Sequence, residues 1–351
     1  MDKIILHWVR IPLLEPFRIS NGSVEVKDSI VVELRDGALA GFGEASPMAG
    51  SFYSAETPES TWADLARAAG SGGEPSEPFA RAGLDGARWD LECRRSGEPL
   101  WRRLGAGGAR PAPSGVAIGI LDTIDELLER VDRYVAAGYR RVKIKIQPGW
   151  DVEPVRAVRE RFGPLPLMTD ANAAYSLADA AVFRELDRFG LMMYEQPLGR
   201  EALEDMAELQ RQVRTPICAD ESAGSLEALE RILALGSARI LNIKIQRVGG
   251  LGEARRMHDR ALAAGMPCWL GTMPELGIAS AQGLHLGVLP GFTFPTDVEA
   301  SARWYCDDLV DPPLEIDREG WIHIPPGPGS GFEVNRERLE RYTVRRTEFS
   351  L

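Results

Sequence analysis

The stretch VKIKIQPGWD, residues 142–151, sets two lysines one residue apart among β-branched neighbours and follows them at once with a Pro-Gly turn. In a strand, residues i and i+2 face the same side, so Lys143 and Lys145 point together from what reads as a buried strand. Paired like charges do not serve stability in such a place. Working outward, the same kind of strand recurs. Short β-rich runs ending in a polar residue (SGVAIGI, RRVKIKI, LPLMTD, LMMYEQP, TPICADE, RILNIKI, MPCWLGTMPE, GFTFPTD) alternate with amphipathic stretches such as DTIDELLERVDRYVAAG and SLADAAVFRELDRFG, several of which stop at glycine. The polar ends keep phase: Lys145, Asp170, Glu195 and Asp220 stand 25 residues apart, and Lys244 follows after 24. Strands and helices alternating at that spacing mean repeated βαβ units and a parallel sheet. Eight such strands close into a TIM-type barrel, with its chemistry at the C-terminal strand ends.

The remainder does not continue the period. Residues 1–110 open with alternating strands (KIILHWVRIPL, DSIVVELRDG, AGFGEASP) and then helical stretches, and the tail carries PPGPGSG and a short GWIHI strand. The expected fold is therefore α/β: a modified TIM barrel, (β/α)7β, over residues 111–305, with an N-terminal α+β capping domain over 1–110. The C-terminal segment 306–351 returns to complete that domain. Forty-one Lys and Arg against 52 Asp and Glu give a net charge of −11 with no basic run, which argues against nucleic acid and against an anionic membrane surface. The N-terminus lacks a long apolar stretch with a cleavage site, and no run reaches transmembrane length. The four cysteines (Cys93, Cys218, Cys268, Cys306) show no paired ligand spacing and read as reduced core or near-core thiols of a cytoplasmic protein. His7, His258, His285 and His323 are as scattered, which makes a histidine metal site a poor reading. GAGGAR at 105–110 misses the last glycine of a dinucleotide fingerprint.

Five consecutive strands thus bring Lys145, Asp170, Glu195, Asp220 and Lys244 to one barrel mouth. Three carboxylates without His or Cys suit a hard divalent cation, Mg²⁺ (or Mn²⁺ as a substitute) before Zn²⁺. Lysines on either side of such a cation suit removal of a proton next to a carboxylate, with the enediolate charge taken up by the metal. A lysine acting as base must be neutral, against a free pKa of about 10.4, and Lys143 on the same face would push Lys145 that way. Each residue has a plainer reading. Asp170 and Asp220 could be helix N-caps, Lys143 and Lys145 snorkelling edge residues, and Glu275 in GTMPE a helix cap rather than a substrate contact. Five polar residues in phase weaken those readings jointly. A Schiff-base aldolase on the same barrel, with Lys145 or Lys244 as nucleophile, is the other mechanistic class, and a non-catalytic barrel a third.

The motifs resemble the enolase superfamily, in its muconate-lactonizing subgroup, and are most similar to the o-succinylbenzoate synthase / N-succinylamino acid racemase branch. EPFRIS, GFGEASPMAGSFYSAET and PSGVAIGILD look like that branch's cap and first strand, and VKIKIQPGWD, TDANAAY, EQPL, CADES and NIKIQRVGG like its barrel. The resemblance implies Asp170, Glu195 and Asp220 as Mg²⁺ ligands, Lys145 and Lys244 as the acid/base pair, and Lys143 and Asn172 in support. It implies syn dehydration to o-succinylbenzoate for menaquinone, with the strand-two lysine as base, or racemisation using both lysines. A dipeptide epimerase or cycloisomerase is the alternative within the superfamily. Arg247, three residues past Lys244, matches an arginine of the racemase-competent members, and its plainer reading is a surface charge. Met48, Tyr53, Gly271 and Met273 fall in the stretches implied to line the substrate. Asn21 stands where the branch carries an aromatic, Ala117 where a Ser helps hold the succinyl carboxylate, and KIQR and GTMPELG depart from KPGR-like and GGMLETG-like runs. A small-molecule carboxylate substrate and a homo-oligomer are the expected partners.

Overall fold

The computed structural model describes residues 1–19, 22–50 and 54–350. Three antiparallel strands open the chain: β1 (Lys3–Ile19), β2 (Gly22–Asp36) and β3 (Leu39–Ala45). Asp36 faces Leu39 across a two-residue turn whose Gly37 sits at φ +58°, the left-handed region that tight hairpins demand. Two helices follow, α1 (Pro58–Ser71), started by the Thr57–Ser60 capping box, and α2 (Pro78–Ser96). The AGFGEA run explains how α2 meets the sheet. Gly41 and Gly43 share one face of β3, and a Cβ on Gly43 would come within 2.1 Å of the Gly83 carbonyl oxygen of α2. Backbone lies on backbone there. Gly43→Ala is expected to cost about 1–3 kcal/mol, read as a lower denaturant midpoint at unchanged m-value.

Seven parallel strands in chain order form the second sheet: β4 (Val116–Ile118), β5 (Val142–Lys145), β6 (Leu167–Asp170), β7 (Tyr194–Glu195), β8 (Ile217–Ala219), β9 (Ile240–Ile243) and β10 (Cys268–Leu270). The helices after them are α3 (Ile124–Ala136), α4 (Val152–Phe162), α5 (Ala180–Leu186), α6 (Leu203–Gln212), α7 (Leu226–Leu235), α8 (Leu251–Ala263) and α9 (Gly277–Gly287). Two details differ from expectation. The helix foreseen over SLADAAVFRELDRFG is broken into α5 between 3-10 turns at Leu177–Asp179 and Asp187–Phe189. The eighth run, GFTFPTD, closes the ring without becoming a regular strand. Its backbone bonds β10 on one side (Thr293 N to Cys268 O, 3.2 Å) and residues before β4 on the other (Gly115 N to Thr296 O, 2.8 Å). Pro295 in its middle has no N–H to give to a ladder.

Alternation along the strands layers the barrel interior. Met168, Met193, Cys218, Ile240 and Trp269 pack together as an apolar floor, and the polar strand ends stand above it. Three of the cysteines are buried as expected, whereas Cys306, in the loop after the barrel, is exposed. The chain ends with α10 (Arg336–Tyr342) and β11 (Thr343–Ser350), which pairs antiparallel with β1 and completes the cap sheet in the order β11-β1-β2-β3. Cap and barrel are joined by a buried carboxylate. Glu44 on β3 accepts from Leu276 N and Ala279 N at the start of α9, 3.0 Å each, and from Ser29 and Ser46 hydroxyls. Among the described residues no helix is long and apolar enough to cross a membrane.

Candidate active site

The five phased residues all stand at C-terminal strand ends, buried to within a few per cent. Lys145 pairs in register with Asp170, and Asp170 with Glu195. Backbone strain marks the same ends: Asn172, Ala173 and Gln196 adopt φ of +43°, +61° and +35° without being glycine. Gln196 accepts from the backbone N–H of Asp220 (2.9 Å) and of Ser222 (3.1 Å), fixing the loop that carries Asp220.

A charge network fills the mouth. Lys145 Nζ donates to Asp170 Oδ2 (2.5 Å) and Asn172 Oδ1 (2.9 Å). Lys244 Nζ donates to Asp220 Oδ2 at 2.9 Å, and the Arg247 guanidinium reaches Asp220 Oδ1. Lys143 Nζ lies 2.5 Å from Asp297 Oδ2, 3.0 Å from Glu195 Oε2 and 3.7 Å from Asp170 Oδ2, over the face of Trp269. Burial alone would discharge these groups, and the pairing decides otherwise. Against burial, Asp297, Glu195 and Asp170 raise Lys143 and keep it charged. Burial is likewise outweighed at Asp170 by Lys145 and Lys143, and at Asp220 by Arg247 and Lys244, which hold both carboxyls low. Glu195 goes the other way, pushed well up by burial and by the neighbouring Asp170. Three carboxylates surround the Lys143 ammonium.

The donor set suits a hard cation. Asp170, Glu195 and Asp220 offer only oxygens, and Asn242 Nδ2 donates to both Glu195 Oε1 (2.8 Å) and Asp220 Oδ1 (3.0 Å), drawing two of the carboxylates together. Glu195, disfavoured as an anion by its neighbour, is where added positive charge would be most welcome. Among the described residues no three His, Cys, Asp or Glu side chains are already gathered on one point, since each carboxylate is turned to a cation of the protein.

A cavity of about 480 Å³, counted with its solvent-open space, lies over this network. Lys143, Lys145, Asn172, Lys244, Met48, Ala117 and Met273 of the residues singled out from sequence line it. Gly271 does not. It backs the network, where a Cβ would come within 2.2 Å of Asn242 Oδ1. Glu275 borders a smaller adjoining recess, accepts from Met273 N at 3.1 Å, and is pushed up to about 8 by burial and Glu44. Arg247 is no surface charge: it is largely buried against Asp220 and borders a separate groove with Arg200 and Arg231. Asn21 and Tyr53 lie outside the described residues. Unforeseen are Phe17 and Ile19 at the end of β1, which pack with Ala117 as an apolar wall, Asp297 at the end of the eighth run, and Glu299 and Trp304 after it. Asp297 carried a legible signal, the polar end of GFTFPTD.

A ring of parallel strands holding carboxylates between lysines at its C-terminal mouth is the arrangement of an α/β-barrel enzyme. Residues 126–338 match the family described as Enolase C-terminal domain-like. The chain is 42% identical to the o-succinylbenzoate synthase of Geobacillus kaustophilus, covering 98% of this chain and 96% of that one. It is 40% identical to the N-succinylamino acid racemase of an Amycolatopsis species, over 98% of each. It superposes with a TM-score of 0.86 and 26% identity on a dipeptide epimerase from Enterococcus faecalis complexed with Mg and L-Leu-L-Tyr, covering 95% and 100% of the two chains. The chain belongs to the enolase superfamily, as an enzyme of the o-succinylbenzoate synthase and N-succinylamino acid racemase branch.

Proposed function

We propose that this enzyme removes a proton α to a substrate carboxylate, and that its reaction is the syn dehydration forming o-succinylbenzoate, the racemisation of N-succinylamino acids, or both. The observation that carries the reading is that Lys145 on β5 and Lys244 after β9 line one cavity from opposite sides of the carboxylates on β6, on β7 and directly after β8. Asp170, Glu195 and Asp220 would hold Mg²⁺, or Mn²⁺ in its place. When bound, the cation supplies positive charge for the substrate carboxylate as the α-proton leaves. Lys145 takes a proton from one face and Lys244 serves the other, as second base in racemisation or as a charged group in dehydration. Lys143 keeps the carboxylates in place, and Asn172 positions Lys145 through its 2.9 Å hydrogen bond.

Proton NMR in D₂O with Mg²⁺ and a panel of N-succinylamino acids and the dehydration substrate tests the reading. The expected outcome is α-proton exchange abolished by EDTA. Exchange on no member of the panel would overturn it. The metal has its own readout: the melting temperature of the substrate-free protein should rise with Mg²⁺ concentration and fall back with chelator, and Asp220→Asn should flatten that dependence.

A further inference from the structure

Lys145 is held in part by an amide, and an amide has two unlike ends of nearly the same shape. Lys145 Nζ donates to Asn172 Oδ1 at 2.9 Å. A half-turn of the Asn172 amide would set its NH₂ against the lysine instead of its oxygen. The two arrangements differ in what they do to a base. A neutral lysine that gives an N–H to Oδ1 turns its lone pair away from Asn172, where a proton can reach it. Against the NH₂, that lone pair would itself accept a hydrogen bond and be withheld. The Asn172 backbone is pinned, with its N–H donating to Asp170 Oδ1 (2.9 Å) at φ +43°. That main-chain bond is the same whichever way the amide faces. Glu221, the residue after Asp220, reaches the other end of the side chain: its Oε1 accepts from Asn172 Nδ2 at 3.1 Å. A carboxylate oxygen takes the NH₂ end and leaves the carbonyl for Lys145.

Resting on the proposed reaction, in which Lys145 serves one face of the substrate, we propose that Glu221 is a positioning residue for Lys145. It acts through Asn172, by fixing the amide as an acceptor toward the lysine. Glu221 borders the outer groove beside Arg247 and is not part of the wall of the 480 Å³ cavity, so its influence on the reaction passes through its neighbour. The loop that carries it is held independently of its side chain, because Gln196 accepts from the N–H of Asp220 and of Ser222, one residue to either side. The influence is also one-sided. Lys244 Nζ donates to Asp220 Oδ2 at 2.9 Å, a bond in which neither Glu221 nor Asn172 takes part. Glu221 should therefore matter to the substrate enantiomer that gives its proton to Lys145, and not to its mirror image.

The test is α-proton exchange from each enantiomer of one N-succinylamino acid in D₂O with Mg²⁺, read by proton NMR at early times. Lys145→Ala identifies the enantiomer that Lys145 serves. In Glu221→Met, exchange of that enantiomer should fall about 10–100-fold, the scale of loss for a misdirected group, while its mirror image exchanges at the native rate. Glu221→Gln, whose carbonyl can still accept from Asn172 Nδ2, should recover most of the loss. In an Asn172→Ala background Glu221→Met should add little more, as for two residues acting in series. The Mg²⁺ dependence of the melting temperature of substrate-free Glu221→Met should match that of the native protein, since Asp170, Glu195 and Asp220 remain. Equal losses on both enantiomers, no loss on either, Glu221→Gln as impaired as Glu221→Met, or a flattened Mg²⁺ dependence would overturn the assignment. If the native enzyme exchanges neither enantiomer, the proposed reaction fails, and the side-chain NH₂ signals of ¹⁵N-labelled Asn172, identified by their loss in Asn172→Ala, decide the role of Glu221 separately. Hydrogen-exchange protection lost in Glu221→Met upholds that role, and protection unchanged overturns it.

Discussion

Lys145→Ala is expected to lower racemisation by about 10³–10⁴-fold, and Lys244→Ala by a similar factor, because in the proposed two-base reaction each removes the base assigned to its side of the cavity. The geometry makes the two losses distinguishable. Lys145 is held by Asp170 and Asn172, whereas Lys244 is held by Asp220, so neither truncation disturbs the other lysine's partner. In each variant, α-proton exchange without inversion should survive on the enantiomer that presents its proton to the remaining lysine. Lys244→Arg separates the two reactions: it keeps a charge and discards a base, so dehydration should outlast racemisation. Two variants that each retain full racemisation would refute the two-base reading. Melting curves of both must accompany the kinetics, since truncating either lysine strips a buried carboxylate of a counter-ion.

Lys143→Met should destabilise the metal-free protein by about 3–5 kcal/mol, the usual result of breaking a buried ion pair from one side. The packing volume is kept, and what disappears is the cation shared by Asp297, Glu195 and Asp170. Urea unfolding at pH 7 in EDTA reads the loss, and Mg²⁺ should recover part of it by supplying positive charge to two of the three carboxylates. The pH dependence has a definite sign. In the native protein Asp297, held down to about 2 by Lys143 and Arg141 against burial, contributes stability that is complete above the ordinary carboxylate range. That contribution is lost as the pH falls from about 4 towards 2. Without Lys143 it shrinks, and the variant and native curves should converge in acid. A loss below about 1 kcal/mol at pH 7 would mean that protonation of Glu195 relieves the site without Lys143.

The barrel was legible because its strands end in residues that chemistry, rather than packing, puts there. The 25-residue phase located Lys145, Asp170, Glu195, Asp220 and Lys244 before any contact was known, and in the structure each stands at a C-terminal strand end. The partner of Lys143 was not legible. Asp297 lies 154 residues further along, and strand periodicity carries no information about which polar ends meet across a ring. The same blindness hid Glu299. It follows a run in which Pro295 interrupts the ladder, so no alternation announces which side chains turn inward. The cavity wall from Phe17 and Ile19 was hidden differently, since those residues read as ordinary apolar positions of a cap strand and become part of the site only when β1 reaches over the barrel. The 3-10 breaks around α5 had no warning either, because their residues fit a continuous helical pattern.

The cap sheet is finished by a strand that is made only after the whole barrel. Lys3 lies opposite Ser350, and β1 is flanked by β2 on one edge and by β11 on the other. During synthesis the first three strands therefore leave the ribosome with one long edge unpaired, and it stays so until the entire barrel has followed. Contacts of such sequence separation fold slowly, and an open edge is a template for association with other chains. A nascent chain halted at Tyr342 should form its barrel and yet remain prone to intermolecular pairing through β1, visible as aggregation during refolding that the eight residues of β11, supplied as a peptide, would suppress.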